Sequence, residues 1–491
     1  MAKIKTYVSG LLSPLYSWVG GKKFIFAWLG FFLLSAILSI SRADVPFTSQ
    51  WDEMYHLSYV QYVSEGVIPA IGYPMNDWAK IAFSCYPVSS LGIMTFVPCG
   101  EVGAGALYPT GGTNSASVWP PIYYIIIAIL MAPIKLLFGL TDNLLAARYA
   151  TALIWAIGSS LLSFFIYRKS KSFILGATFA MLSTALSLFG QSASFVSPHS
   201  LVPLLLFGGV SIAVWLDREL KSIDTDHSLR NLQLRPLLKR GLLWLTAIVG
   251  YGTVLAFSVP HAFPILIAMA IFVAIGVLFH NRDNIPGLVM KLTTLGIFFA
   301  LAVVAFMTTR DFWSWQRSSR AVDWPSDVNP GAADVDALSS YPDIFQQALS
   351  LWGDFWPNGL QNPWLQGTLA VVNESFWIFL LPTLIFVSIA TLGLAHWLSR
   401  MSIALVATAP VASNLAFLQL QFVIPERYGL SIVLLGLIGL ANDRIQKFFR
   451  IFIFAAATAT YIISFFYSPL PVIDAVCPTG PLDWAFGCRL P

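Results

Sequence analysis

The sequence predicts an all-α polytopic membrane protein. Hydrophobic residues make up 57% of its 491 positions and charged residues only 11%, whereas soluble domains carry about 25% charged residues. Apolar runs long enough to cross the roughly 30 Å hydrocarbon core as helices recur along the chain. Lysine and arginine gather in alternate connections between those runs, which orients them. Counting soluble domains by length does not apply to such a chain, so residues 1–491 are expected to form one membrane domain.

Eleven spans are expected, near 24–41, 144–167, 172–191, 198–216, 241–259, 263–280, 292–309, 375–395, 402–421, 428–441 and 451–468. Lys3, Lys5, Lys22 and Lys23 precede the first, and no small-residue cleavage site follows it. It therefore reads as an uncleaved span rather than a signal peptide. With the N-terminus inside, the cytoplasmic connections are "RKSKS" (168–172), residues 217–240, "HNRDN" (280–284), Arg400 and "DRIQKFFR" (443–450). These segments and the N-terminus hold most of the 28 basic residues, and the opposite side holds most of the 24 acidic ones.

The stretch "WPPIYYIIIAILMAPIKLLFGL" (119–140) tests this topology. Read as a span, it would invert everything after it. Pro120, Pro121, Pro133 and Lys135 suit instead a broken helix lying at the interface, and we read it as juxtamembrane. Two outer loops are then large, 42–143 and 310–374, and residues 469–491 form an outer tail. The second loop holds six tryptophans, Trp313, Trp315, Trp324, Trp352, Trp356 and Trp364, suited to sugar stacking or to anchoring at the bilayer. All four cysteines fall outside, as two local pairs, Cys85–Cys99 and Cys477–Cys488. Two disulfides in an oxidising, extracytoplasmic space are expected.

Chemistry concentrates in "WDEMYH" (51–56), directly after the first span. On a helix, Asp52, Tyr55, His56 and Tyr59 share a face, and Glu53 points about 100° away. A carboxylate there is a candidate general base whose pKa partial desolvation would raise. An isolated acid pair at a membrane boundary is more often simply solvated. Further pieces lie on the same side. "SVWPPIYY" (117–124) groups Trp119, Tyr123 and Tyr124, as an aromatic belt also would. "NLLAARYA" (143–150) puts Arg148 near the start of a span, where a cation needs a phosphate or carboxylate partner. "FVSPHSLVPLLL" (195–206) opens a span beside His199, a possible anion contact or an ordinary interfacial residue. "VIPERYGLS" (423–431) places Arg427 and Tyr428 at an outer helix start, where the arginine would fork onto a phosphate or snorkel. No dinucleotide, P-loop or zinc-protease motif occurs, and no spacing sets out a metal site. A divalent metal held by Asp52, Glu53 and a loop residue has no motif behind it. The net charge of +4 gives no footprint for nucleic acid.

In this order, "DEMYH", "PPIYY", "AARYA", "SPHSL" and "ERYGL" resemble the GT-C superfamily of integral-membrane glycosyltransferases, most closely its bacterial cell-wall branch. The segment "LWGDFWPNGLQNPW" (351–364) is similar to an aromatic stretch of that branch. The resemblance implies a GT-C-like architecture with juxtamembrane helices in the first outer loop. It also implies a polyprenyl-phosphate sugar donor, a glycan, lipid or protein acceptor, and a site on the outer face of a bacterial plasma membrane. It maps the catalytic acid to Asp52, with Glu53 as the alternative, and the phosphate-holding cations to Arg427 and Arg148. Tyr55, His56, Trp119, Tyr123, His199 and Tyr428 follow as substrate contacts. The chain lacks the metal-binding acid set of the oligosaccharyltransferases and the large soluble C-terminal domain of some cell-wall arabinosyltransferases. A transporter or lipid flippase is the rival reading. It would place ionisable residues near the midplane of its spans, where this sequence has few. An assembly protein without chemistry would not need the ordered motifs.

Overall fold

The structure, a computed structural model, describes residues 22–45, 48, 53–86, 97–104, 108, 112–222, 234–320, 368–420 and 430–466. Asp52, Arg427, Tyr428, Cys477, Cys488, the tail 469–491 and most of the loop 310–374 lie outside the described residues. The described chain is helical, as lipid requires: a helix satisfies every backbone donor and acceptor within itself. No strand is formed among the described residues, only a single bridge between Pro74 and Thr113. This is a multi-pass helical membrane protein.

Helix α1 (Lys22–Ala43) leads to three short helices of the first loop, α2 (Glu53–Ser64), α3 (Asp77–Cys85) and α4 (Ile122–Phe138). The bundle continues with α5 (Asn143–Ser170), α6 (Phe173–Ala185), α7 (Ser187–Ser194), α8 (Val202–Ser222), α9 (Leu234–Ser258), α10 (Pro264–His280) and α11 (Ile285–Ser318). It closes with α12 (Thr368–Leu392), α13 (Trp397–Leu420), α14 (Leu430–Leu437) and α15 (Lys447–Phe466). Among the described residues seven helical stretches are long and apolar enough to span: Phe24–Ala43, Asn143–Ser170, Pro198–Lys221, Arg240–Ser258, Pro260–His280, Ile285–Ser318 and Lys447–Phe465. α5 forms the centre, packed on α1, α6 and α8, while α9 pairs with α11 and α10 with α13.

The expected span 172–191 is broken at Leu186, whose backbone turns extended between α6 and α7. The carbonyls freed by the break are satisfied from elsewhere, as buried backbone must be. Arg42 donates to Thr184 O at 2.7 Å and Ala185 O at 3.3 Å, and Ser464 Oγ donates to Ala185 O at 3.0 Å. The expected span 428–441 is likewise a short helix followed by a 3₁₀ turn, Ile438–Ala441.

Contacts sort the helix termini into two ends. At one, which we call the loop end, the C-terminus of α1 meets α2 and the N-termini of α5 and α8. At the other, the basic end, the C-termini of α8 and α10 meet the N-terminus of α13. α4 starts and finishes at the loop end. Tyr123 Oη hydrogen-bonds Thr151 Oγ1 at 2.7 Å near its start; Lys135 donates to Asn143 Oδ1 and Phe138 meets the Tyr149 ring near its finish. Gly139, at φ 65°, ends α4 in a left-handed cap, and Asp142 caps α5 by accepting from Leu144 N at 2.7 Å. α4 therefore carries the chain along the loop end and does not take it to the basic end.

Candidate functional site

The site is built on α2, whose first residue is Glu53. Its carboxylate receives Arg148 Nε and Nη2 at 2.8 Å each and the amide of Val196 at 3.0 Å. Arg148 Nη1 donates to Ala43 O at 3.2 Å and Val45 O at 3.0 Å, and its guanidinium lies 4.8 Å from the Phe195 ring centroid. The two side chains are 1% and 0% exposed. This forked pair fixes the end of α1, the start of α2, the first turns of α5 and the 195–196 strand of chain against one another. The cation that sequence reasoning assigns to a phosphate is held by the acid it assigns as an alternative base. The partner that the buried Arg148 required is Glu53.

One turn along α2, His56 Nδ1 hydrogen-bonds the Tyr124 hydroxyl at 2.8 Å. Tyr124 stacks on Tyr59 with centroids 3.8 Å apart. The Tyr59 hydroxyl donates to Trp119 O at 3.3 Å. Burial pushes this phenol above its ordinary pKa, so it remains a donor at neutral pH. Trp119 is the hub. Its ring meets His199 and His261 edge-on, both at 5.2 Å, and His56 at 6.1 Å. The imidazoles of His199 and His261 lie nearly parallel, 6.5 Å apart. Ser197, which precedes the 3₁₀ turn Pro198–Leu201, hydrogen-bonds His199 Nδ1 at 3.1 Å.

The polypeptide under Trp119 is set by Asn114. It accepts from Ala116 N at 2.9 Å and donates to Ser58 Oγ at 3.1 Å, tying the 3₁₀ turn Ser115–Val118 to α2. From the far side, α11 closes the cluster. Trp313 Nε1 donates to Trp119 O at 3.2 Å and Arg317 Nη1 donates to Ser117 O at 3.2 Å. Cys85 and Cys99 are joined by a disulfide. Beside it, Tyr86 donates to the α5-capping carboxylate of Asp142, and burial with that bond pushes its pKa up to about 12.

The structure thus brings together Glu53 with Arg148, and His56 with Trp119, Tyr124 and His199. Tyr123 reaches Thr151 on the neighbouring face of α5, and Tyr55 meets Phe83 of α3 at 6.3 Å. Both are buried framework around the cluster. Two residues that the sequence reading leaves unassigned join it, His261 and Arg317, together with Trp313, one of the six tryptophans read as sugar-stacking or bilayer-anchoring. His261 has a readable signal, since the doublet Pro-His opens two helical stretches, at 198–199 and 260–261. The arrangement offers imidazole nitrogens, aromatic faces for a sugar ring, and N–H donors for an anion. Among the described residues no three histidine, cysteine or acidic side chains are placed to hold a metal ion. No protein-family model matches the chain, and no curated protein matches it at a significant level.

Proposed function

We propose that this protein is a polyprenyl-phosphate-dependent glycosyltransferase of GT-C-like architecture with eleven spans. Its loop end faces the extracytoplasmic side of a bacterial plasma membrane. The observation that carries the proposal is convergence. "DEMYH", "PPIYY", "AARYA" and "SPHSL" are spread over some 150 residues of sequence, and Glu53, His56, Tyr124, Arg148 and His199 from them lie in one buried, aromatic-lined cluster. The basic end supplies the cytoplasmic face by the positive-inside rule.

In this reading Asp52 is the general base. Glu53 is held by Arg148 and Val196, so it serves to anchor the first turn of α2 next to Asp52. The acceptor hydroxyl gives its proton to the Asp52 carboxylate as its oxygen bonds the anomeric carbon. The bond from that carbon to the donor phosphate breaks, and polyprenyl phosphate leaves with the electron pair. A single displacement through an oxocarbenium-like transition state inverts the anomeric centre. The acceptor is a cell-envelope glycan, lipid or protein. The test is release of polyprenyl phosphate from a panel of synthetic polyprenyl-phosphate sugars. Asp52→Asn is expected to slow release by roughly a hundredfold or more. Unchanged release would remove Asp52 from the role, and no release from any donor by the wild type would overturn the activity.

A further inference from the structure

Arg317 is the unexplained cation of the loop end. Four arginines are buried among the described residues, Arg42, Arg148, Arg317 and Arg400. Arg148 and Arg400 each hold a carboxylate through two hydrogen bonds, and Arg42 serves the carbonyls of the α6–α7 break. Arg317, 8% exposed, has no ion pair among the described residues. Its hydrogen bonds end on two backbone carbonyls, Trp313 O at 3.3 Å and Ser117 O at 3.2 Å. A buried guanidinium without a counter-charge is unfavourable unless something anionic completes it. A snorkelling arginine would extend to water; this one turns inward, 5.7 Å from the Trp313 ring.

Helix length explains how it gets there. α11 has 34 residues, about 51 Å at 1.5 Å per residue, against a hydrocarbon core of roughly 30 Å. At least one of its ends must project beyond such a core, and its last turns lean on the 115–118 turn. Its inner stripe, Leu295, Phe299, Ala302, Phe306, Trp313 and Arg317, is buried throughout. Its opposite face, with Ile297, Leu301, Val304 and Trp315, is exposed and apolar. Arg317 therefore sits just inside a helix on the perimeter of the bundle, within reach of a lipid headgroup.

We propose that Arg317, with Trp313 and the His199–His261 pair, is the receptor for a phosphate ester carried on a lipid. This deepens the glycosyltransferase reading and rests on it for the identity of the lipid, polyprenyl phosphate. The test is equilibrium binding to the full chain in nanodiscs, with labelled polyprenyl phosphate as probe and inorganic phosphate and uncharged polyprenol as competitors. Arg317→Gln is expected to weaken binding roughly tenfold or more, and Arg317→Lys to retain part of it. The thermal midpoint of the ligand-free glutamine variant should stay level or rise, because a buried, uncompensated charge is removed; a merely structural arginine predicts a fall. Unchanged affinity in Arg317→Gln, or polyprenol competing as well as the phosphate, overturns the proposal. Inorganic phosphate displacing the probe at equal concentration overturns the lipid part and assigns the site to free phosphate. Failure of the two readings is separable. If no donor is turned over but binding still depends on Arg317, the anion site stands and the transferase falls. If transfer proceeds and Arg317→Gln changes neither binding nor rate, the reverse holds.

Discussion

The two ends of the bundle use the same device in different surroundings. Each locks its helices with a buried arginine forked onto a carboxylate, Arg148 on Glu53 at the loop end and Arg400 on Asp217 at the basic end. The Arg400 bonds are 2.9 and 2.8 Å. At the basic end everything nearby completes the lock. Lys221 Nζ lies 3.1 Å from Asp217, His280 Nε2 is 3.2 Å from Arg400 Nη1, and Gly276 leaves no gap, since a Cβ there would sit 2.4 Å from Asp217 Oδ1. At the loop end the lock is accompanied by three imidazoles, stacked aromatics and an arginine with no acid among the described residues. A buried ion pair alone is therefore a poor marker of chemistry; what surrounds it discriminates.

The sharpest way to break this comparison is to remove one partner from each lock. Arg148→Met strands a buried carboxylate and is expected to cost about 3–5 kcal/mol, and Arg400→Met somewhat less because Lys221 still reaches Asp217, both read as loss of folded yield and thermal midpoint in detergent. Equal tolerance of both would mean the locks are not closed as described. Next come the double replacements. Glu53→Leu/Arg148→Met and Asp217→Leu/Arg400→Met should each recover most of that stability, because packed apolar pairs replace ion pairs at little cost. If the proposed transferase reading holds, they part in function: the basic-end double retains glycosyl transfer, whereas the loop-end double loses it because Glu53 no longer anchors the first turn of α2. Transfer surviving in both would detach the Glu53 lock from catalysis. The smallest effect is expected from Tyr124→Phe, which removes the hydrogen bond to His56 and should cost about 0.5–1.5 kcal/mol. A shift in the pH profile of transfer would accompany it if His56 is in play, and an unmoved profile would confine the bond to structure.

The long spans were legible because lipid leaves a hydrophobic chain little choice but helix, and α1, α5, α8 and α10 follow their apolar runs closely. The break at Leu186 was not, because no proline or glycine marks it; it depends on Arg42, some 140 residues away, arriving at the freed carbonyls. Glu53 and Arg148 were each singled out, but their union across 95 positions is a tertiary fact that neither local pattern holds. Arg400 was read simply as cytoplasmic charge, when Asp217 neutralises it within the protein. The end of α11 was misjudged for a more instructive reason. Its apolar composition stops near 309, yet its buried stripe continues through Trp313 and Arg317 in helical register. Periodicity persisted where hydropathy ended, and following the period would have put Trp313 on the buried face and found Arg317 beside it.

The return of α4 to the loop end has a consequence for biogenesis. Residues 122–138 leave the ribosome as a greasy 17-residue helix, which an insertion machinery has reason to admit into the bilayer. Of the side chains that hold it in place, His56 precedes it, but Asn143, Tyr149 and Thr151 have not yet been made. The parity of every later crossing is thus decided by residues that emerge after the segment whose fate they determine.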